Sequence, residues 1–568
     1  MAAKSPLPDA GATLAAMKTI LVMSATLLAT LLCDFARSAD VEPKRLSEIV
    51  RVLASDEFEG RGPGTAGETR TVDYLVETFR GLGLEPGGER GGWTQEVPLL
   101  RTQVQTPRVL QVTAKGKRRP LVPAKEIYFS TIRDSQSVLI DGAPLVFVGY
   151  GVTAPERQWD DYKGVDLRGK VAVYLVNDPD FSALPGEAVA GKFGARRMTY
   201  YGRWSYKFEE AARHGAVAAL IVHDTEGAGY GWSTVIAPGG ENYALLHAVA
   251  ATAPPTLKLQ GWLEGDAAID LFRNAGLDLA ALRRQARSAD FKPVPLQGVT
   301  FTADVPVTTV KTISRNVLAK ITGTERPDET VMMAAHWDAY GVGAPDAQGR
   351  KVRPGANDDA LGLAGVIELA RVLKAAPRPQ RTLVFAAWTA EERGLIGSLA
   401  YAAQPLYPLP KTVANLTLDV LQTAGLARDV LLVGAGQSNL EDDLARAAAA
   451  QGRTITPETL PERGLFYRAD HFPLARNGVP VLLLMALSGA PDMTEGGRAA
   501  GEKWLADYMK CYHQTCDAWD ANWDLRGAAQ DVELFHAIAT ELANSNRWPQ
   551  WRTDSEFHAI RERSRGAR

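Results

Sequence analysis

The chain has 568 residues, 46% of them apolar and 23% charged, a globular composition that excludes a disordered or fibrous protein. Lys and Arg number 63 against 66 Asp and Glu. The resulting formal charge of −3 gives no electrostatic case for nucleic acid or an anionic membrane surface as the main partner. Three cysteines in a chain of this length exclude a disulfide scaffold and an array of zinc ribbons.

The N-terminal segment has the pattern of an export signal. Residues 20–32 are apolar, Lys18 precedes them and the small-residue stretch FARSAD follows. This order is typical of a secretory signal peptide, and the apolar run is shorter than the ~20 residues that span a bilayer. We therefore predict that residues 1–39 are a signal peptide and that the protein is exported, periplasmic or extracellular, with no stable membrane anchor.

Two cysteines, Cys511 and Cys516, remain after removal of the signal peptide. In an oxidising compartment they can pair or stay as two inert thiols. Because export and an even count favour pairing, we predict a disulfide between them.

The mature chain begins with two predicted helices around a Gly-rich turn, at residues 43–84. A β-like alternation follows at 95–140. Residues 145–290 read as a separate module with buried strands, a helix and a Gly- and aromatic-rich loop around Gly227 to Trp232. We expect that loop to be either part of an entrance to a site or a plain surface loop.

After residue 328 the chain alternates near-continuous apolar strands with helices. The strands include TVMMAAHWD, RTLVFAAW, VANLTLDVL and VPVLLLMA, and a C-terminal helix, AAQDVELFHAIATELANS, follows them. This pattern predicts an α/β fold with a mostly parallel mixed sheet covered by helices on both faces. The last residues, 551–568, are polar, and we expect them to be loosely held.

Polar residues of metal-ligand type follow these predicted strands, where active residues of α/β sheets gather. They are His336, Asp338, Asp358, Asp359, Glu391, Glu392, Asp419, Asp470 and His471. His and carboxylate groups are zinc ligands, and a pair of close zinc ions needs a bridging carboxylate and a further carboxylate as general base. Neighbours on an extended chain point oppositely, so one of Glu391 and Glu392 can bind metal while the other faces a water. His513 lies between the two cysteines and is read as a residue of the site rim, not as a ligand.

At this point the sequence resembles the two-zinc aminopeptidase family that includes secreted bacterial leucyl aminopeptidases and glutamate carboxypeptidase. The matching pieces are HWD, GANDDALG, AEERGLIGS, LTLDV and ADHF, in the family's order. The resemblance implies two zinc ions per chain and assigns each site residue a role. His336 and Asp419 would hold one zinc, Glu392 and His471 the other, Asp358 would bridge them, Glu391 would be the general base and Asp338 would orient His336.

The resemblance also divides the chain. It implies a zinc exopeptidase fold in two segments, 40–139 and 295–550, with a β-rich protease-associated domain inserted at 140–294. Since every proposed ligand lies after residue 328, we expect the insert to contribute no ligand. The implied substrates are peptides with a free amino terminus, and the sequence indicates nothing about oligomeric state.

Three alternatives stay open. A carboxypeptidase or dipeptidase on the same scaffold would need cationic side chains for a substrate carboxylate, and Arg353, Arg463 and Arg468 lie near the site segments. A cyclase would use one zinc. A receptor-like relative without catalysis would lack metal ligands, and this sequence lacks none of the expected ones.

Overall fold

The computed structural model describes residues 40–246 and 255–566, so the predicted signal peptide lies outside the described residues. The strands are β1 Glu85–Pro86, β2 Thr94–Val104, β3 Val109–Ala114, β4 Lys117–Pro120, β5 Ile127–Ser130, β6 Ser137–Phe147, β7 Thr153–Ala154, β8 Trp159–Asp160, β9 Val171–Leu175, β10 Ala218–Val222, β11 Glu241–Leu245, β12 Leu259–Leu263, β13 Val294–Ile321, β14 Arg326–His336, β15 Gly341–Val342, β16 Val352–Arg353, β17 Arg381–Trp388, β18 Thr412–Leu418, β19 Asp429–Leu432, β20 Thr454–Pro457 and β21 Val481–Leu484. The helices are α1 Pro43–Leu53, α2 Ala66–Gly81, α3 Trp204–Arg213, α4 Thr225–Ala228, α5 Trp232–Ile236, α6 Gly265–Asn274, α7 Leu279–Gln285, α8 Gly362–Ala375, α9 Ile396–Ala403, α10 Leu440–Ala450, α11 His471–Ala475, α12 Gly497–Cys511, α13 Arg526–Asn544 and α14 His558–Gly566. Among these helices, none has the length and hydrophobicity to cross a membrane.

The C-terminal half is built on four parallel strands in the spatial order β21-β18-β14-β17, with β13 antiparallel beside β17. Every residue of β17 and β18 is buried, which explains why these strands read as continuous apolar runs. Helices α1, α2, α8 and α13 pack on one face and α9 and α11 on the other. The predicted α/β fold with a mostly parallel mixed sheet covered by helices is confirmed.

The predicted insert is an α/β layer of its own. Its strands β6, β9, β10 and β12 are parallel, and β5 adds an antiparallel edge. Helices α3, α6 and α7 accompany them, so the module holds more helix than the β-rich domain that the sequence analysis expected.

One strand joins the two parts. β13 is 28 residues long; its first half pairs with β3 and β6 and its second half with β2 and β17. Leu110, Phe129 and Phe301 lie in the same hydrophobic core as Val173 of the insert. Because β13 starts to pair with β2 at Val307, we propose to draw the boundaries of the insert near residues 105 and 308, outside the predicted 140 and 294.

The C-terminal residues differ from the expected loose tail. The Arg561 side chain of α14 is buried and donates hydrogen bonds to the main-chain oxygens of Leu409 (3.1 Å) and Thr412 (2.8 Å) at the start of β18. Trp551 and Phe557 are buried beside it. The segment has a polar composition, but the aliphatic parts of its arginine side chains and a few aromatic rings pack against the rest of the protein.

Candidate metal centre

Most side chains of the candidate metal centre lie at the ends of three neighbouring strands. β14 ends at His336, β17 is followed closely by Glu391 and Glu392, and β18 is followed at once by Asp419. Because the carboxyl ends of parallel strands meet at one edge of the sheet, these side chains converge there. His336 and Asp419 are buried, and Glu391 and Glu392 are 10% and 4% exposed.

Asp358 lies at the centre of the site. Its Oδ1 is 3.1 Å from Nε2 of His336, and its Oδ2 is 3.2 Å from Nε2 of His513. Each oxygen of one carboxylate therefore faces a different imidazole. This is the placement that a carboxylate shared between two metal ions needs.

The surrounding residues form two groups of potential ligands. In the part of the chain that the structure describes, one group joins His336, Asp359 and Asp419, and the other joins Asp358, Glu392 and His513, each within 4.8 Å. Asp359 accepts hydrogen bonds from the backbone N–H groups of Gly362, Val420 and His336, so its oxygens are already engaged. We therefore assign Asp358, not Asp359, to the shared position beside His336 and Asp419.

His513 corrects the ligand set expected from the sequence. Its Nε2 lies 3.2 Å from both Asp358 Oδ2 and Glu392 Oε2, whereas His471 belongs to neither group. His471 begins α11, where it packs edge-on against Phe466, and burial lowers its pKa to about 3. The geometry thus gives His513 the role that the sequence analysis expected for His471.

The loop that carries His513 explains why it was missed. It follows α12 and is closed by the disulfide between Cys511 and Cys516, which is present as predicted. His513 has a φ of 63°, an uncommon backbone conformation for a residue other than Gly. The rings of Tyr512 and Tyr340 lie 3.6 Å and 4.5 Å from the imidazole.

Asp517 and Arg61 hold the loop before α8. Asp517 accepts hydrogen bonds from the backbone N–H groups of Asn357 (3.0 Å) and Asp358 (3.1 Å). The buried Arg61 guanidinium donates to the carbonyl oxygens of Trp337 and Gly355, both at 2.7 Å. These bonds fix the position of the shared carboxylate from two sides. Neither residue was recognised from the sequence.

Glu391 and Glu392 have different surroundings, as expected for adjacent residues of an extended segment. Glu392 contacts His513, while the Glu391 carboxylate makes no side-chain hydrogen bond to a described residue and approaches His336 only to 4.0 Å. Asp338 Oδ1 accepts the backbone N–H of Glu391 (2.9 Å). Nδ1 of His336 lies 3.0 Å from the main-chain oxygen of Asp338 and 3.6 Å from its carboxylate, so Asp338 orients both neighbours.

The site carries more buried negative charge than the protein compensates. Burial raises the pKa of Asp419 to about 7, and the charge of Asp358 adds to that effect. Burial likewise raises the pKa of Glu391 and Glu392 well above the ordinary value. Burial also acts on Asp358, but the hydrogen bonds from His336 and His513 hold its pKa below the ordinary value.

The donor set fits zinc. It consists of imidazole nitrogens and carboxylate oxygens, the ligands zinc takes, in two groups that the contact of Asp358 with His336 connects. Isolated buried carboxylates are costly unless they are paired or bind metal. The crowding of carboxylates around two imidazoles therefore fits the binding of metal cations.

The insert approaches the opening of the site. Gly229, in the loop at residues 227–232, lies against Arg463, and Glu462 forms an ion pair with Arg196 of the insert (2.9 Å). The guanidinium of Arg393, which follows the two glutamates, lies over the rings of Tyr340 and of Tyr243 from β11. The loop at residues 227–232 thus contacts the segment that leads to α11. Arg353 lines a small cavity beside Asp358, Glu392 and His513.

Comparison with known proteins gives a family match for part of the chain. Residues 316–536 match the model of Peptidase family M28. A probable zinc metalloprotease of Pyrenophora tritici-repentis is 37% identical over 157 residues, which are 28% of this chain and 29% of that protein. Leupeptin-inactivating enzyme 1 of Streptomyces exfoliatus is 31% identical over 198 residues, 34% of this chain and 40% of that protein. The chain thus matches less than half the length of these relatives.

Solved structures cover more of the chain at lower identity. An aminopeptidase from Aneurinibacillus sp. strain AM-1 is 20% identical, covering 90% of this chain and 96% of its own, with a TM-score of 0.49. A zinc aminopeptidase from Bacillus subtilis is 18% identical and covers 90% and 97%, with a TM-score of 0.43.

Proposed function

We propose that the protein is an exported exopeptidase with two zinc ions that removes N-terminal residues from peptides. The observation that carries this proposal is the Asp358 carboxylate between the imidazoles of His336 and His513, with the uncommitted Glu391 carboxylate beside them. The family of residues 316–536 supports peptide hydrolysis as the reaction.

In this proposal His336 and Asp419 hold one zinc ion, Glu392 and His513 hold the other, and Asp358 is shared. Zinc ions bound there would polarise the scissile carbonyl and lower the pKa of the attacking water. The main-chain oxygen of Asp338 fixes the orientation of His336, which leaves Nε2 of that ring directed at Asp358.

Glu391 acts as the general base. Its carboxylate accepts a proton from the attacking water and passes it to the leaving amine, a role that needs a carboxylate not consumed as a ligand. Burial and the nearby carboxylates of Asp419 and Glu392 raise its pKa, so its proton affinity is above that of a solvated glutamate. Asp338 secures the position of Glu391 through the backbone N–H of that residue.

The insert is proposed to be a protease-associated module that limits which peptides reach the site. Its loop at residues 227–232 and its ion pair Arg196–Glu462 bring it to the opening without supplying a ligand to either group in the described residues. Export is supported by the N-terminal sequence pattern.

Hydrolysis of a substrate panel tests the proposal. Zinc-loaded protein is incubated with chromogenic aminoacyl substrates, with unblocked peptides and with the same peptides blocked at the amino terminus. We expect cleavage only where the α-amino group is free. Cleavage of N-blocked peptides from their carboxyl end would replace the aminopeptidase with a carboxypeptidase, and cleavage within blocked peptides would exclude an exopeptidase.

A further inference from the structure

Arg393, the residue after the two glutamates of the site, holds its guanidinium between two aromatic rings. The guanidinium carbon lies 4.7 Å from the ring centre of Tyr340 and 5.2 Å from that of Tyr243 in β11. Among the residues that the structure describes, Arg393 forms no ion pair with a carboxylate, and its Nε is buried without an acceptor. The two rings are therefore the main contacts of this cation.

The contacts of Arg393 continue to the metal centre. The ring centre of Tyr340 lies 4.5 Å from that of the His513 imidazole. Nε2 of His513 lies 3.2 Å from Oε2 of Glu392, which directly precedes Arg393 in the chain. A closed circuit of contacts thus runs from Glu392 through Arg393 and Tyr340 to His513 and back. It contains both residues that are proposed to hold one zinc ion together.

Tyr243 fixes the other side of the guanidinium. β11 pairs with β2, and the Tyr243 ring packs on a small hydrophobic core that includes Ala390 and Ile396, on either side of the glutamate segment. His513, by contrast, lies in a turn outside the helices and strands, so the orientation of its ring depends on side-chain contacts. The guanidinium therefore joins a firmly held ring to one that packs against the imidazole.

Another arginine offers a matched comparison. The guanidinium of Arg476 lies over the rings of Tyr200 (4.9 Å) and Phe472 (5.9 Å), and it also pairs with Glu209 (3.2 Å). Neither of these rings belongs to the two groups of potential ligands in the described residues. Arg393 differs because it has no carboxylate partner and because one of its rings contacts His513.

We infer that Arg393 is a positioning residue of the metal centre. Clamped between Tyr243 and Tyr340, its guanidinium holds the Tyr340 ring against His513 and so keeps that imidazole beside Glu392. A cation over an aromatic face is attracted by the ring's quadrupole, most strongly where water is excluded. The inference rests on the proposed function, in which Glu392 and His513 hold one zinc ion. It adds a residue that touches neither metal nor substrate but sets the affinity for one ion.

Zinc affinity measures this role directly. Metal-free wild type, Arg393→Met, Arg393→Lys and the control Arg476→Met are titrated with zinc in competition with a chromogenic chelator. Arg393→Met should raise the dissociation constant of one zinc ion by about tenfold, the scale of a partly desolvated cation–π contact. Arg393→Lys keeps the positive charge and should recover part of this loss, whereas Arg476→Met should bind zinc like the wild type.

Two further readouts separate positioning from a general loss of stability. At limiting free zinc, kcat of Arg393→Met should fall while KM stays unchanged, because Arg393 contacts no substrate in this proposal, and excess zinc should restore kcat. Tyr243→Leu should weaken zinc binding in the same direction. Adding it to Arg393→Met should cause little further loss, since both substitutions remove the same clamp.

Unchanged zinc affinity in Arg393→Met, or an equal loss in Arg476→Met, would overturn the inference. A wild type that binds zinc but hydrolyses no peptide would contradict the proposed function alone, since the zinc titration still decides the role of Arg393. If the wild type binds no zinc, amide hydrogen exchange of the metal-free proteins decides it. Exchange at residues 511–517 should then be faster in Arg393→Met than in the wild type and Arg476→Met, and equal exchange in all three would overturn the inference.

Discussion

The insert and the metal centre both bury several charged side chains, but they neutralise them differently. In the insert, the buried ammonium of Lys207 donates to the main-chain oxygens of Tyr150 (2.6 Å) and Asn177 (3.0 Å), and the charges of Asp178 and Asp161 counter the effect of burial, which lowers its pKa to about 8. In the metal centre, carboxylates surround two imidazoles, and no lysine of the described residues takes part.

This difference separates a structural network from a functional site. A buried charge set that contains its own cation is complete, and its donors and acceptors are satisfied within the fold. A set with excess carboxylates is completed only by a ligand, here metal. Substitutions in either region test this difference.

The largest effect on catalysis is expected at Glu391. Glu391→Gln keeps the shape of the side chain but removes the proton acceptor, so hydrolysis should fall by at least ~10²-fold while the zinc content stays unchanged. Glu392→Gln is the matched neighbour, and it should lose zinc together with activity because its carboxylate contacts His513 in the ligand group. Kinetic assays and metal analysis of both variants measure this. If Glu391→Gln stayed active and Glu392→Gln were inactive with its zinc retained, the roles of the two residues would be reversed.

A smaller change is expected when one ligand group loses its imidazole. His513→Ala should lower the zinc content by about one ion per chain, because it removes one of three ligands from a single group. His471→Gln should retain all its zinc, since His471 belongs to neither group. Mass-spectrometric metal analysis of the two purified variants measures this. Metal loss in His471→Gln with full retention in His513→Ala would restore the ligand set expected from the sequence.

The smallest effect on catalysis is expected from the insert's network. Lys207→Met leaves the buried main-chain oxygens of Tyr150 and Asn177 without their donor and should cost about 1–3 kcal/mol of unfolding free energy for each unsatisfied acceptor. The zinc content of the folded variant should not change. Denaturant unfolding and metal analysis check both parts, and a loss of zinc from folded Lys207→Met would show that the insert's network supports the metal centre.

The sequence predicts the fold well where apolar residues form continuous runs or recur at helical spacing. Strands β17 and β18 and the last seven residues of β14 are buried on both faces and therefore appear as continuous apolar runs, and the predicted helices at residues 43–84 are α1 and α2. The C-terminal helix α14 was missed because its docking depends on Arg561, whose bonds to Leu409 and Thr412 join residues about 150 positions apart.

The site was predictable to the extent that it follows strand ends. His336, Glu392 and Asp419 lie there, as expected. His513 comes from a disulfide-closed loop after a helix, where local pattern carries no metal signal, and only the tertiary fold brings it to Asp358. His471 was expected to be a ligand because it follows Asp470 in the segment ADHF, one of the pieces that resemble the two-zinc aminopeptidase family. Only the structure shows that its ring packs against Phe466.

The zinc content of the wild-type chain is the most direct test of the proposed metal centre. We expect two zinc ions per chain, one held by His336 and Asp419 and one by Glu392 and His513, with Asp358 between them. They should be removable by a chelator with loss of hydrolysis, and zinc should restore the activity. One ion per chain would favour single-zinc chemistry such as that of a cyclase. No bound zinc, with the protein folded and zinc supplied, would contradict the account and favour a receptor-like protein without catalysis.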